Sequence, residues 1–422
     1  ADWMRFYYRH ARQVFQASQR ALEFAELKDP SLMRHFRHWR ERLSSAEFTV
    51  SHDRIFLRNP ALIARSAESV LGVFTFAARH GIPLSWDARR RLATDGKIIG
   101  ESPVPWTAWQ QFLSQPRVAV GLRQMQETGL LARAIPHWGA IECLVVRDFY
   151  HRYTVDEHSI VAIETIDTLA AKQDGASSRF HDLLLEEDDI ATLRLALLLH
   201  DIGKGTLPGN HVAGSLTAAG DVMERLGVPE AKRAGIRFLI EHHLDLSLVM
   251  NGRDLDDPAT ARYLSSRIPT QEDLRRLALL TFADISAVNP TAMSPWRLEQ
   301  LWRVYATGLE QLTRELMADR IHTTEGLPPE LTEFLEGFPT RYLRTHTREQ
   351  IEAHFALDRK RAAHGVAVKI TRDSGVFLLT VLAPDKAGIF AKLCGALASR
   401  GMNILKAEAS SNGSGLILDL IR

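Results

Sequence analysis

Cysteine is nearly absent. The 422 residues contain only Cys143 and Cys394, far apart and without metal-ligand spacing. This excludes a disulfide framework and a cysteine-held zinc, and it suits a reducing compartment. Net charge is nearly absent too, with 52 Lys+Arg against 51 Asp+Glu, so the overall balance gives no reason to expect a nucleic-acid partner. No apolar run reaches the roughly 18 residues of a membrane span. The first residues, ADWMRFYYRHARQ, are charged where a signal peptide has its apolar core. The helical stretch up to Ala134 also lacks a Gly-Ser pair followed by two spaced carboxylates, the metal-binding pattern of a nucleotidyltransferase. The expectation is a cytoplasmic protein that binds neither membrane nor nucleic acid. A chain this long and 45% hydrophobic is expected to divide into two or three domains. Its charge is uneven: Ala1–Met125 holds 19 Lys+Arg against 11 Asp+Glu. That surplus is either a solvated helical surface or a docking face for an acidic partner or nucleotide.

What is present is concentrated in Leu195–Gly205, LALLLHDIGKG. Residues Asp189–Leu199 are apolar almost all round, as in a helix buried within a large core. The run ends in the adjacent His200 and Asp201, and Gly203 and Gly205 are placed to stop it as C-terminal glycines do. A buried imidazole and carboxylate are costly unless paired or metal-bound. The plain alternative is a histidine satisfied by a carbonyl and an aspartate capping the next turn. Adjacent helical residues diverge by ~100°, so the two reach one metal together only at such a helix end. Lys204, between the glycines, could neutralise a phosphate oxygen or simply answer the helix dipole.

Neighbouring segments offer similar groups. Asp2–Leu27 reads as a long amphipathic helix with Met4, Tyr8, Ala11, Val14, Phe15, Ser18 and Leu22 on one face. SHDRIF makes a brief extended turn, and Pro60–Ala134 reads as a helical bundle without identifiable chemistry. In FYHRYTVDEH, Phe149–His158, Thr154 and Glu157 form a capping box. His158 then opens a stripe continued by Val161, Ala162, Thr165, Ile166 and Leu169, and a satisfied core histidine is the alternative there. Lys172–Ser178 is a loop by composition. Asn210 can cap a helix whose first residue is His211, and Glu230–Ile240 runs into Glu241-His242-His243. Glu272–Val288 is an apolar helix interrupted by one carboxylate, Asp284, and ended by Pro290. Seven of the seventeen histidines fall between His151 and His243, a density that favours a shared imidazole–carboxylate metal site over isolated core histidines. Such ligands suit Mn²⁺, Fe, Zn²⁺ or Mg²⁺ without choosing among them. Two ions would activate water and hold a phosphoryl group between them.

The order His158, His200-Asp201, Asp284 resembles the H…HD…D signature of the HD-domain phosphohydrolases. YTVDEH, LLHDIGKG, EHH and LTFADISAVNPTAMSPW are together similar to the uridylyl-removing region of the bifunctional uridylyltransferase/uridylyl-removing enzymes. The resemblance runs through most of the chain. It implies hydrolysis of the tyrosyl-O-UMP phosphodiester on the uridylylated nitrogen-regulatory PII protein, releasing UMP. It implies His158, His200, Asp201 and Asp284 as core ligands of a divalent metal, with His211 and His242 completing a second site, hence two ions. Lys204 and His243 are left as catalytic neighbours. The family's transferase domain has no counterpart upstream, and its glycine-rich stretch before the third histidine is here GTLPGNH. Two rival functions are an HD hydrolase of a free nucleotide or cyclic dinucleotide, and an inert sensory module.

Towards the end of the chain the period changes. Thr323–Pro339 reads as a polar connection and Tyr342–Ala363 as one helix. Val366, Val368 and Ile370 alternate, Asp373-Ser374-Gly375 turns the chain, and Val376–Leu382 is a second strand. Ile389, Phe390, Leu393 and Leu397 mark a helix ended by Gly401. Asn403–Ala409 and Leu416–Ile421 form a hairpin around Asn412-Gly413. This β-α-β-β order, with APDKAG at the strand-to-helix turn, resembles the first two-thirds of an amino-acid-binding ACT domain. The resemblance implies glutamine as effector, with Asp385, Gly388 and Asn403 lining its site. Turn formation is the alternative for all three. Such a sheet is expected to be incomplete and to expose an edge, leaving the piece poorly ordered or completed by a neighbouring molecule in a homo-oligomer. The expected architecture is mainly α: a helical bundle over 1–140, an all-α HD hydrolase domain over 141–320, a linker and helix over 321–364, and a small α+β, ferredoxin-like partial ACT domain over 365–422.

Overall fold

The computed structural model describes residues 2–28, 47–59, 65–146, 152–171, 177–324, 328–339, 348–361, 365–373 and 376–422, together with Gly175, Tyr342 and His346. Of the segments read from sequence, residues 149–151, 172–174 and 176, the ends of the Tyr342–Ala363 helix, and Ser374-Gly375 lie outside the described residues. The chain forms two compact units, Ala1–Leu309 and Glu310–Arg422. Among the described residues the first is helical apart from one hairpin and the second contains a four-stranded sheet, so the mainly α class with a small α+β end holds.

Helix α1 (Asp2–Lys28) forms where its periodicity predicts, but it docks through its polar side. Arg12 donates to Asp156 at 2.5 Å, and the buried Glu23 accepts from the Trp86 backbone N–H at 2.8 Å. Val14, Phe15 and Leu22 of the apolar stripe face solvent. Amphipathicity defines two faces without saying which one finds a partner, and here buried carboxylates select the polar one. Strands β1 (Phe48–Ser51) and β2 (Arg54–Leu57) form a hairpin whose two turn residues, His52 and Asp53, both have positive φ, the geometry that matches strand twist. Short helices from Ala67 to Ile141 then pack around fully buried Phe74, Trp109, Phe112 and Trp138. Among them, α2 (Val118–Glu127) lies against α3 (Val155–Ala171).

Helix α3 opens where Thr154 and Glu157 predict, although the Glu157 carboxylate is engaged by Arg123 at 3.0 and 3.2 Å. Every residue of Ala191–Leu199 in α4 (Ile190–Leu199) is buried, as expected of a helix apolar all round. Around it pack α3, α5 (His211–Arg225), α6 (Glu230–His242) and α7 (Gln271–Ser286). The Asn210 side chain caps α5 and Thr270 caps α7. No helix among the described residues is long and apolar enough to cross a membrane.

In the second unit, the segment read as a polar connection supplies core. Helices α8 (Pro329–Leu335) and α9 (Arg348–Arg361) bring Leu331, Phe334, Leu335 and Leu357, with Phe338 and Tyr342, onto Leu382, Leu416 and Leu418 of the sheet. Proline and glycine there punctuate short helices instead of loosening the chain. Strands β3 (Ala367–Asp373), β4 (Val376–Pro384), β5 (Ala407–Ser411) and β6 (Leu416–Ile421) form an antiparallel sheet in the order β3-β4-β6-β5. Strand β4 is paired on both sides, by β3 and β6. The four strands are those read from the sequence, and the side of β4 away from β6 is taken by β3 of the same chain. Between β4 and β5, α10 (Ile389–Ser399) starts at Gly388, whose φ of +77° favours glycine.

One titratable group in this unit carries a pH prediction. Burial, with His346 and Lys369 nearby, pulls the His354 imidazole down to about 4, and a 2.9 Å hydrogen bond joins it to the Tyr342 hydroxyl. The unfolded chain takes up a proton near pH 6.5, where the folded unit does not. Stability is thus present above pH 6.5 and is lost as the pH falls towards 4. The urea midpoint of the C-terminal unit is expected to drop over that window and to flatten in His354→Gln. An equal slope in both proteins would refute it.

Candidate metal centre

Helix α4 breaks at its last polar pair. His200 keeps helical angles (φ −57°, ψ −34°) while Asp201 leaves them (φ −111°, ψ 5°). Side chains that would diverge by ~100° on a continued helix turn into one space. A 3₁₀ turn, Ile202–Gly205, follows. Its glycines are not the left-handed stop expected, since neither has positive φ; they are required by close approach. A Cβ on Gly203 would meet the His211 carbonyl oxygen and the Ser215 nitrogen at 2.2 Å, and one on Gly205 would meet the Ala140 oxygen at 2.6 Å. The Gly203 N–H donates to Ser215 Oγ at 2.9 Å, tying the turn to the start of α5. Gly203→Ala is expected to cost about 1–3 kcal/mol in thermal unfolding and to weaken Mn²⁺ binding by displacing His211. Calorimetry with full metal affinity would show that this contact does not position His211.

Three imidazoles are tethered alike. Nδ1 of His158, His200 and His243 lies 3.2, 2.8 and 2.7 Å from the carbonyl oxygens of Ala287, Leu197 and Ile240. An Nδ1–H donated to a carbonyl leaves Nε2 as the lone-pair nitrogen, the usual support of a metal-binding histidine. Those nitrogens converge on two carboxylates. His158 Nε2 is 2.8 Å from Asp284 Oδ1, while His200 Nε2 is 3.5 Å from that oxygen and 3.3 Å from Asp201 Oδ2. His211 Nε2 is 3.8 Å from Asp201 Oδ1. The ligand atoms sort into two groups, His158–His200–Asp284 and Asp201–His211–His243, each within 4.8 Å of one another.

The donor set fits divalent cations on a structural observation. His200 Nε2 and Asp201 Oδ1 are buried yet have no hydrogen-bond partner, an arrangement that is costly unless a further ligand satisfies both. Electrostatics agree. Burial alone would raise the Asp201 and Asp284 carboxyls, but His200 and Lys204 beside the first, and His158 and His200 beside the second, hold both well below their usual range. Burial opposes charging of His200, yet Asp201 and Asp284 push it up to about 10, so without an ion the imidazole answers these carboxylates with a proton at Nε2, whose place a bound cation would take. Burial lowers His211 and His243 and keeps them neutral ligands. The cluster holds two carboxylates in a dry setting and is organised to receive positive charge.

Of the residues singled out from sequence, His158, His200, Asp201, His211 and Asp284 come together, and Lys204 joins them with Nζ 2.6 Å from Asp201 Oδ2. His242 does not. Its Nδ1 binds Asp245 Oδ2 at 2.7 Å, Arg267 clamps the same carboxylate at 2.7 and 3.2 Å, and the ring packs on Phe238. His243 takes the place expected for it. The signal was in the helical phase: Ile236, Leu239 and Ile240 form the buried face of α6, and position 243 continues that face while 242 is one residue's rotation away. Asp385 and Asn403 are exposed, and Gly388 has a left-handed backbone.

No protein-family model matches the chain. Among curated proteins it is similar to enzymes named bifunctional uridylyltransferase/uridylyl-removing enzyme. That of Rhodopseudomonas palustris is 28% identical over 89% of this chain and 43% of its own length. Those of a Bradyrhizobium species (28%, over 91% and 44%) and Gluconobacter oxydans (30%, over 88% and 42%) are alike. The similarity covers about nine-tenths of this chain, which spans less than half the length of these relatives.

Proposed function

We propose that the chain carries the uridylyl-removing activity of a PII-modifying enzyme: metal-dependent hydrolysis of the tyrosyl-O-UMP phosphodiester on uridylylated PII, releasing UMP. The observation that carries this is the convergence of carbonyl-tethered imidazoles on Asp201 and Asp284 with two buried ligand atoms unpartnered, in a chain similar to enzymes named for uridylyl removal. His158, His200 and Asp284 would hold one divalent ion, and Asp201, His211 and His243 a second. When bound, such ions supply charge for phosphoryl oxygens and acidity for water. In the reaction a water oxygen bonds to phosphorus as the bond to the tyrosyl oxygen breaks. The phenolic oxygen leaves with a proton, and UMP departs with the new oxygen. The tethering carbonyls keep the imidazoles oriented throughout, and Lys204, at the rim, can donate to a non-bridging phosphate oxygen.

The proposed layout keeps a helical domain over 1–140, the HD-type hydrolase over 141–320, a connection over 321–364 and an ACT-like effector domain over 365–422. Asp385, Gly388 and Asn403 would receive glutamine there. The deciding experiment incubates uridylylated PII with the protein and Mn²⁺ and measures UMP with and without chelator. Chelator-sensitive release is expected. A metal-loaded preparation that leaves PII modified but cleaves a free nucleotide or cyclic dinucleotide would overturn PII as substrate. One that neither binds metal nor cleaves would leave a sensory module.

A further inference from the structure

Two arginines of α1 end beside the segments that carry the proposed ligands. Arg5 and Arg12 are seven residues apart, about two helical turns, and so share one side of the helix. The Arg5 guanidinium donates to the carbonyls of Ala140 and, at 3.0 Å, of Glu142. Ala140 backs the 3₁₀ turn after His200-Asp201, since its carbonyl oxygen is the atom a Cβ on Gly205 would meet. The next residue along, Cys143, is buried with φ +54°, a left-handed backbone that a side chain disfavours. Arg12 donates to Asp156 Oδ2, to which Gln126 Nε2 also donates at 2.6 Å. That carboxylate is fully buried, and its Oδ1 has no hydrogen-bond partner among the described residues. Asp156 stands in the first turn of α3, two residues before His158, and the Val155 N–H beside it donates to the Leu144 carbonyl at 2.9 Å. Arg5 and Arg12 therefore grip two backbone segments, 140–144 and 155–158, that a hydrogen bond joins.

We propose that Arg5 and Arg12 are positioning residues of the metal centre: from α1 they fix the two segments from which His158 and the turn after Asp201 take their place. The inference rests on the proposed metal centre. The first N–H groups of a helix have no partner within it, so the placement of His158 depends on what holds that turn from outside. The Ala287 carbonyl orients the ring, and the turn sets where the side chain starts. Asp156 anchors the turn, and Arg12 is the charge that keeps the anchor buried; a carboxylate stranded without its cation is drawn toward water. Arg5 acts on the other segment through two carbonyls, holding Cys143 in a conformation its side chain disfavours. A metal site tolerates shifts of only about 0.2 Å in its ligand distances, so a small rotation of either segment is felt as lost affinity.

The test measures Mn²⁺ affinity by calorimetry in the full chain stripped with chelator, beside the unfolding temperature and UMP release from uridylylated PII. Arg12→Met is expected to weaken Mn²⁺ binding by about tenfold, the lower end of what a residue supporting a ligand contributes, and Arg12→Lys to stay close to wild type. Arg5→Met should also weaken it, and because it strands no charge it carries the test if Arg12→Met fails to fold. Cys143→Gly added to Arg5→Met should recover part of the loss, since glycine adopts the left-handed backbone without strain. Leu92→Ala, at a buried position of the helix Trp86–Asp95, supplies a chain destabilised elsewhere and should bind Mn²⁺ as wild type does. Folded Arg12→Met and Arg5→Met chains with wild-type affinity, or an equal loss in Leu92→Ala, would overturn the inference and leave the metal centre standing. A wild-type chain that binds no Mn²⁺ would remove both.

Discussion

Asp201→Asn is expected to empty both ligand groups of metal and to lower UMP release by roughly 10³-fold or more, the size of several kcal/mol of lost charge stabilisation. Asp201 places Oδ2 toward His200 and Oδ1 toward His211, so its neutral isostere weakens both groups at once. Loss of a residue that merely supports a ligand costs about 10–100-fold in metal affinity, and loss of a shared ligand should exceed that. His243→Ala is expected to behave similarly for the second ion. His242→Ala should keep its metal content, because His242 is held by Asp245 and Arg267 outside both groups. Elemental analysis beside UMP release distinguishes the three variants, with circular dichroism to establish folding. Equal losses in His242→Ala and His243→Ala would contradict the arrangement at the end of α6.

How much of this was legible in the sequence follows from which physical signals are local. The buried helix ending in His200-Asp201 is legible because nine consecutive apolar or buried positions leave an imidazole and a carboxylate no solvent, and the plain alternatives do not explain five such segments in one stretch. The choice between His242 and His243 was legible in principle, since the phase set by Ile236, Leu239 and Ile240 extends to 243; motif resemblance alone does not weigh that phase. Gly203 was right for the wrong reason. A glycine after a helix suggests a left-handed stop, whereas the atoms it must approach, in His211 and Ser215, come from another element and leave no mark on neighbouring sequence. The same holds for α1, whose polar face docks because Asp156, far along the chain, awaits Arg12. It holds again for Phe334, Leu335 and Phe338, which become core only once the sheet exists to receive them.

Arg194 is the other long-range residue that a run of leucines conceals, and Arg194→Met is expected to destabilise the first unit by about 3–5 kcal/mol at neutral pH. The guanidinium is 3% exposed in the middle of α4. It donates to the carbonyls of Leu113 and Gln115 at 2.6 and 2.9 Å and to Asp167 Oδ1 at 2.6 Å, while Asp167 Oδ2 accepts from the Ala119 N–H at 3.0 Å. The pair thus joins the helix that ends in His200-Asp201 to α3 and to the start of α2. Both partners carry the cost of burial: it pushes Asp167 up to about 6 against the pull of Arg194, and it pulls Arg194 down. Such a pair adds little over an apolar filling, yet removing one member strands the other charge. The pH dependence has a definite sign. A folded-state carboxyl above its unfolded value destabilises progressively as pH rises from about 4 to 6. With Arg194 gone the carboxyl rises further, so the loss should be greatest at neutral pH and shrink near pH 5, where Asp167 takes up a proton. Arg194→Met/Asp167→Asn should recover part of it at pH 7, because the asparagine still accepts from Ala119 and no charge remains buried. A pH-independent loss, or none recovered in the double variant, would show that the lost carbonyl hydrogen bonds and packing dominate over the stranded carboxylate.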